Sequence, residues 1–140
     1  MSDGVRGTLV DSNVILDLMT KDPVWSAWSF EQLTKAGDSG PLLVNHVVYS
    51  EVSQRFSRLE DLDEVLDPDY FIRAALPWPA AFLAGKCFRD YRRRGGVKTS
   101  PLPDFYIGAH AAVMKLRLLT RDVQRYRTYF PTVELIAPVS

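Results

Sequence analysis

With 140 residues, 46% of them hydrophobic, the chain is long enough to bury a core of its own, and its single cysteine, Cys87, excludes a fold held by internal disulfides. Lysine and arginine balance aspartate and glutamate at 17 each, so net charge names no polyanionic partner. The sequence has no run of about 18 apolar residues, which excludes an ordinary membrane-spanning helix. Residues 1–4 carry no basic region followed by an apolar stretch, so the expectation is a cytoplasmic protein forming one domain over residues 1–140.

Short β-branched or leucine runs alternate with longer helical patterns. Thr8-Leu9-Val10 reads as a buried strand entering Asp11-Ser12-Asn13, with helix from about Val14. Pro23 opens a second helical stretch to about Ala36, closed by Gly37. Leu42-Leu43-Val44 is a second strand, followed by helix from about His46 to Phe56. Leu59 to Asp67 reads as a short acidic surface helix, and Phe71 to Leu76 fits either type. Pro79 starts a helix that ends in Arg92-Arg93-Arg94-Gly95-Gly96. Beyond a loop with Pro101 and Pro103, helix resumes from Asp104 to about Lys115. Leu118-Leu119-Thr120 is a third strand, and Val133-Glu134-Leu135-Ile136 a fourth. This alternation implies an α/β fold, a mainly parallel sheet covered on both faces.

Chemistry in such a sheet collects beyond the carboxyl ends of its strands. Asp11 follows one strand directly, and Asp122 follows another after Thr120-Arg121. Either aspartate also suits a helix N-cap. Glu51 falls within the apolar arc of its helix, with Val47, Val48, Val52 and Phe56, where an acid needs a partner. Arg55, one turn on, is the obvious structural one. Asp104 shares a helix side with Ile107, Gly108 and Ala111; the small Gly108, Ala111 and Ala112 allow close approach to a sheet, and Asp104 also suits a cap.

If the four acids meet, they need compensation. At about 5 Å and an effective dielectric near 20, each pair repels by roughly 3 kcal/mol. A set of four is held together by protons or cations. Oxygen ligands without histidine or cysteine suit Mg²⁺ or Mn²⁺, which acidify water and stabilise charge on a phosphoryl group. His46 and His110 read as structural.

Leu9-Val10-Asp11-Ser12-Asn13-Val14-Ile15-Leu16 resembles the opening strand-and-acid motif of PIN domains. Ser50-Glu51-Val52 resembles their second acidic position, and Leu102 to Ala111 followed by Leu118-Leu119-Thr120-Arg121-Asp122 resembles their third and fourth. Tyr126-Arg127-Thr128-Tyr129-Phe130-Pro131 is similar to the tail of VapC-type toxins of bacterial toxin–antitoxin pairs. The resemblance implies a three-layer α/β/α sandwich and an Mg²⁺- or Mn²⁺-dependent endoribonuclease. It also implies a homodimer and a small antitoxin that occludes the acidic pocket. By the same carry-over Asp11, Glu51, Asp104 and Asp122 hold the metal or its waters, and Asn13 and Thr120 position them. Arg55 beside Glu51 and Arg121 beside Asp122 are expected to modulate metal affinity.

Charge is segregated along the chain. From Lys86 to Lys98 six bases face Asp90 alone, and Arg92, Arg93, Arg94 and Lys98 are the candidates for RNA backbone contact. The competing reading is a solvated helix end matched to its dipole. Trp25, Trp28 and Phe30 read as core or as an antitoxin or dimer groove. A haloacid dehalogenase-type phosphatase needs an aspartate two residues after Asp11, where Asn13 stands. A receiver-type signalling module needs an acid after a middle strand, and Leu43-Val44-Asn45 has none. A catalytically weak PIN-like binding module remains the alternative to an enzyme.

Overall fold

A computed structural model describes residues 6–99 and 102–139; residues 1–4, read above for an export signal, and Pro101 lie outside the described residues. The elements in chain order are β1 (Thr8–Val10), α1 (Ser12–Thr20), α2 (Ser26–Ser39), β2 (Leu42–Val44), α3 (His46–Ser53), α4 (Leu59–Val65), β3 (Phe71–Arg73), α5 (Trp78–Arg93), α6 (Pro103–Met114), β4 (Arg117–Leu119), α7 (Gln124–Tyr129) and β5 (Leu135–Ile136).

The five strands form one sheet in the order β3-β2-β1-β4-β5, and every pairing is parallel. β1 is central and wholly buried, with Leu9 registered against Leu43 on one side and Leu118 on the other. From β1 the chain moves outward to β2 and β3, then returns to β4 and moves out to β5. Because parallel crossovers are right-handed as a rule, winding outward in both directions from β1 puts helices on both faces, a three-layer α/β/α sandwich. The strand order reverses between β1 and β4. That is where a parallel sheet opens a crevice at its carboxyl end.

Several local expectations change. α2 runs through Gly37 to Ser39 and stops at Gly40, whose N–H donates to the Ala36 carbonyl. A glycine inside a helix weakens it without ending it. Phe71–Arg73 is an edge strand with only Phe71 buried, so its pattern lacks the apolar continuity of an interior strand. The last strand contracts to Leu135–Ile136. α7 is a helix that the sequence reading did not assign.

Caps and core contacts fix the elements that carry the acids. Asn45 caps α3 by accepting from the Val48 N–H at 2.9 Å, and its side-chain amide nitrogen lies 3.0 Å from His110 Nδ1 in α6. Both residues are buried, and burial holds the His110 imidazole below its ordinary pKa, so this pair joins α3 to α6 without a charge. At Gly108, expected to let α6 approach the sheet, the close neighbour is a ring instead. A Cβ there would come within 2.3 Å of Phe130.

A candidate metal centre at the sheet switch point

Asp11 leaves β1 directly into α1 and is 3% exposed. Its Oδ1 accepts from the Ser12 N–H at 2.8 Å at the cap position of α1. Its Oδ2 does something a cap does not need: it accepts from the Thr120 hydroxyl at 2.8 Å and the Tyr126 hydroxyl at 2.9 Å. Burial pushes the Asp11 carboxyl up to about 6; the Thr120 and Tyr126 hydrogen bonds oppose this, and the charges of Asp104 and Glu51 add to it.

Two of the other acids, Asp104 and Glu51, stand near enough for their charges to act on it. Glu51, in α3, is partly buried and accepts from the Ser12 hydroxyl at 2.9 Å. Burial raises its pKa, the Ser12 bond opposes the rise and the Asp104 charge adds to it. The expected Arg55 partner is not the one used: Arg55 is exposed, and Glu51 turns inward to α1. Asp104 lies in the first turn of α6 behind Pro103, while Leu102 occupies the cap position. Its Oδ1 stands 3.4 Å from the Tyr126 hydroxyl and its Oδ2 accepts from Arg125 at 3.4 Å. Burial raises the Asp104 pKa; Arg125 opposes this and the charge of Asp122 reinforces it. Asp122 is exposed on the loop after β4, where its N–H donates to the Thr120 hydroxyl oxygen at 3.1 Å. It does not cap α7, whose cap position is Val123.

Asn13 and Thr120 tie this loop to α1. The Asn13 amide donates to Thr120 Oγ1 at 3.2 Å, and its oxygen accepts from the Arg121 N–H at 3.2 Å. The Arg121 guanidinium makes its hydrogen bonds to Asp17, while the charge of Asp122 also acts on it. It grips the buried Asp17 with two hydrogen bonds of 2.6 and 2.8 Å and lies over the Trp25 ring at 5.1 Å. Asp17 also accepts from the Ser29 hydroxyl at 2.8 Å. The charge beside Asp122 in sequence is therefore anchored in an internal ion pair.

Of the basic candidates, Arg92, Arg93, Arg94 and Lys98 are all exposed near the end of α5. Arg92 turns to the Lys98 carbonyl, 2.9 Å away. Arg94 alone among them lines the groove that also holds Asp122. Trp28 packs against the core, whereas Phe30 is exposed.

Three residues of the site are not among those the sequence pattern predicts: Ser12, Arg125 and Tyr126. The spacing of Tyr126, Tyr129 and Phe130, three and four residues apart, is the available signal for α7. Ser12 carried no signal beyond its place after Asp11.

The chemistry of the donors suits a hard divalent cation: Asp11, Glu51 and Asp104 offer carboxylate oxygens without imidazole or thiolate, raised in pKa by burial first and by neighbouring acids second. Among the described residues no three carboxylate, imidazole or thiolate groups stand close enough together to hold a metal ion as they are placed. Instead the Tyr126 hydroxyl and the Arg125 guanidinium occupy the space between and beside the acids.

Comparison with known proteins agrees with this architecture. The family model for the PIN domain matches residues 8–131. Among solved structures, VapBC2 from Rickettsia felis bound to a promoter DNA fragment has a TM-score of 0.70 at 15% identity, covering 94% of this chain and 98% of that one. VapBC-1 from nontypeable Haemophilus influenzae has a TM-score of 0.70 at 16% identity, covering 94% and 97%. DNA-bound VapBC from Salmonella typhimurium has a TM-score of 0.65 at 14% identity, covering 95% and 98%. A search of functionally curated proteins by sequence found no match. At these identities the structural likeness concerns the fold, while the family model covers most of the chain: the chain belongs to the PIN-domain family.

Proposed function

We propose that this chain is a metal-dependent endoribonuclease acting as the toxin of a VapBC-like pair, with Asp11, Glu51, Asp104 and Asp122 as its metal-holding acids. The observation that carries the proposal is the desolvated Asp11 at the β1–β4 switch point, whose pKa is raised in part by Asp104 and Glu51. A structural aspartate needs one cap. This one is buried beside like charges, an arrangement that favours a cation.

Each chain residue has a separable task in this reading. Thr120 and Tyr126 hold Asp11 Oδ2, leaving Oδ1, which carries the Ser12 N–H, as the less engaged oxygen. Ser12 fixes Glu51 beside it. Asn13 and Thr120 anchor the loop that bears Asp122. A bound Mg²⁺ or Mn²⁺ supplies positive charge to a phosphoryl group and acidifies water. The protein's work is to hold the phosphodiester and the acids in register. The VapBC neighbours support a small antitoxin as the partner, and the homodimer and the cytoplasmic setting follow from the same toxin reading.

The test is incubation of partner-free protein with structured RNA in Mg²⁺ or Mn²⁺, then with excess EDTA, beside Asp11→Asn. Discrete cleavage that requires the metal and disappears in the variant supports the reading. Equal cleavage by both proteins removes Asp11 from the mechanism, and intact RNA in every tube removes the nuclease.

A further inference from the structure

Beside the acids, on the side of α5 and α7, lies an open groove of about 510 Å³ whose walls include Tyr91, Arg94, Asp122, Gln124, Arg125 and Tyr129. It adjoins the acid crevice through two residues. Asp122 forms part of its wall and raises the Asp104 pKa, and Arg125 lines it while bonding Asp104 Oδ2.

The two arginines are held in place. The Arg125 guanidinium lies 5.6 Å from the Tyr91 ring centre and 5.6 Å from that of Phe105, and the Arg94 guanidinium lies 5.2 Å from that of Tyr129. The rings form a packed floor: fully buried Phe105 meets Tyr91 at 5.6 Å and Tyr129 at 5.3 Å, both edge to face. Tyr91 is further fixed by the turn after α5, where a Cβ on Gly96 would stand 2.3 Å from its ring. Such stacking orients a guanidinium without using its N–H groups.

Those groups are the chemical signal. A guanidinium has five N–H donors. Among the described residues, the acid partner of Arg94 is Asp90 at 3.0 Å, and that of Arg125 is Asp104 at 3.4 Å. Each keeps donors for a planar or tetrahedral oxyanion. Because guanidinium groups already cover faces of Tyr91 and Tyr129, the groove favours a phosphate over a stacked base.

We infer that this groove is a subsite for a backbone phosphate of single-stranded RNA, next to the phosphodiester at the acids, with Arg94 and Arg125 as its ligands. The inference rests on the nuclease reading and adds to it where the neighbouring nucleotide sits. Arg94, not the whole basic stretch, is then the α5 residue that touches the strand.

Arg125 bonds Asp104, so the discriminating variant is Arg94→Ala, with Arg94→Lys beside it and Lys35→Ala, an exposed charge on α2, as the control for net charge. Binding of a short fluorescein-labelled single-stranded RNA is followed by anisotropy in EDTA across a salt series. Arg94→Ala is expected to weaken binding roughly fivefold and to flatten the log Kd against log salt slope by about 0.7, the effect of losing one phosphate contact on a single strand. Arg94→Lys keeps the slope and loses part of the affinity, while Lys35→Ala changes neither. Wild-type affinity and slope in Arg94→Ala, from a protein that cleaves RNA in Mn²⁺, overturns the subsite and leaves the nuclease standing. A wild-type protein that neither binds nor cleaves RNA overturns both.

Discussion

The Tyr126 hydroxyl donates to Asp11 Oδ2 at 2.9 Å while standing 3.4 Å from Asp104 Oδ1, so one phenol spans two acids from different elements. The ring is buried and the hydroxyl's pKa lies well above its ordinary value through burial and the nearby acids, so it remains a donor. Tyr126→Phe keeps the ring and removes the donor. The expected result is a folded protein that is less stable by about 1–2 kcal/mol, with several-fold weaker Mn²⁺ binding because Asp11 loses a bond that favours its charged form. Calorimetric titration and thermal melts check this; unchanged metal affinity contradicts the positioning role.

Asp11 makes metal-free stability depend on pH in a direction opposite to an ordinary ion-paired carboxylate. Its folded pKa is about 6 against 3.8 for the free group, so folding favours its protonated form. This favourable contribution is full below 3.8 and is lost as pH rises through about 6. At about 1.4 kcal/mol per pKa unit the difference is on the order of 3 kcal/mol. Asp11→Asn, melted in EDTA near neutral pH, is expected to be more stable than wild type, with the advantage shrinking as pH falls through 6. A variant that is less stable at neutral pH refutes the assignment of this strain to the acid.

Arg121 and Asp17 hold α1 against the loop after β4. Arg121→Ala leaves a buried carboxylate with only the Ser29 hydroxyl and the peptide environment, which costs about 3 kcal/mol. Adding Asp17→Asn is expected to recover part of the loss, since the uncompensated charge goes with it. Melting curves of the two single variants and the double variant decide this, and a double variant no better than Arg121→Ala contradicts it.

Gly108→Ala tests the packing under α6. The added methyl meets the Phe130 ring, and overpacking of this kind costs about 1–3 kcal/mol. Phe130→Leu in the same chain is expected to relieve part of that cost, whereas strictly additive losses argue against the contact.

The sequence made the strand-and-acid order legible because buried parallel strands are short apolar runs and two of the four acids follow them. Thr8–Val10 and Leu42–Val44 needed nothing more. β3 was ambiguous because an edge strand buries one residue of three. α7 has six residues, under two helical turns, too few for periodicity to stand out, and with it went Arg125 and Tyr126. Glu51 shows a different limit. Helical spacing offered it Arg55, but only tertiary structure brings Ser12, 39 residues earlier, to its carboxylate.

The acids at the β1–β4 switch point are proposed to hold a divalent cation. Titration of Mn²⁺ into the metal-free protein near neutral pH, beside Asp11→Asn, tests it most directly. Wild type is expected to bind saturably and the variant to lose roughly tenfold or more, in keeping with removal of a charged oxygen ligand. Equal binding by the two proteins would place the metal elsewhere and rule out a site at Asp11.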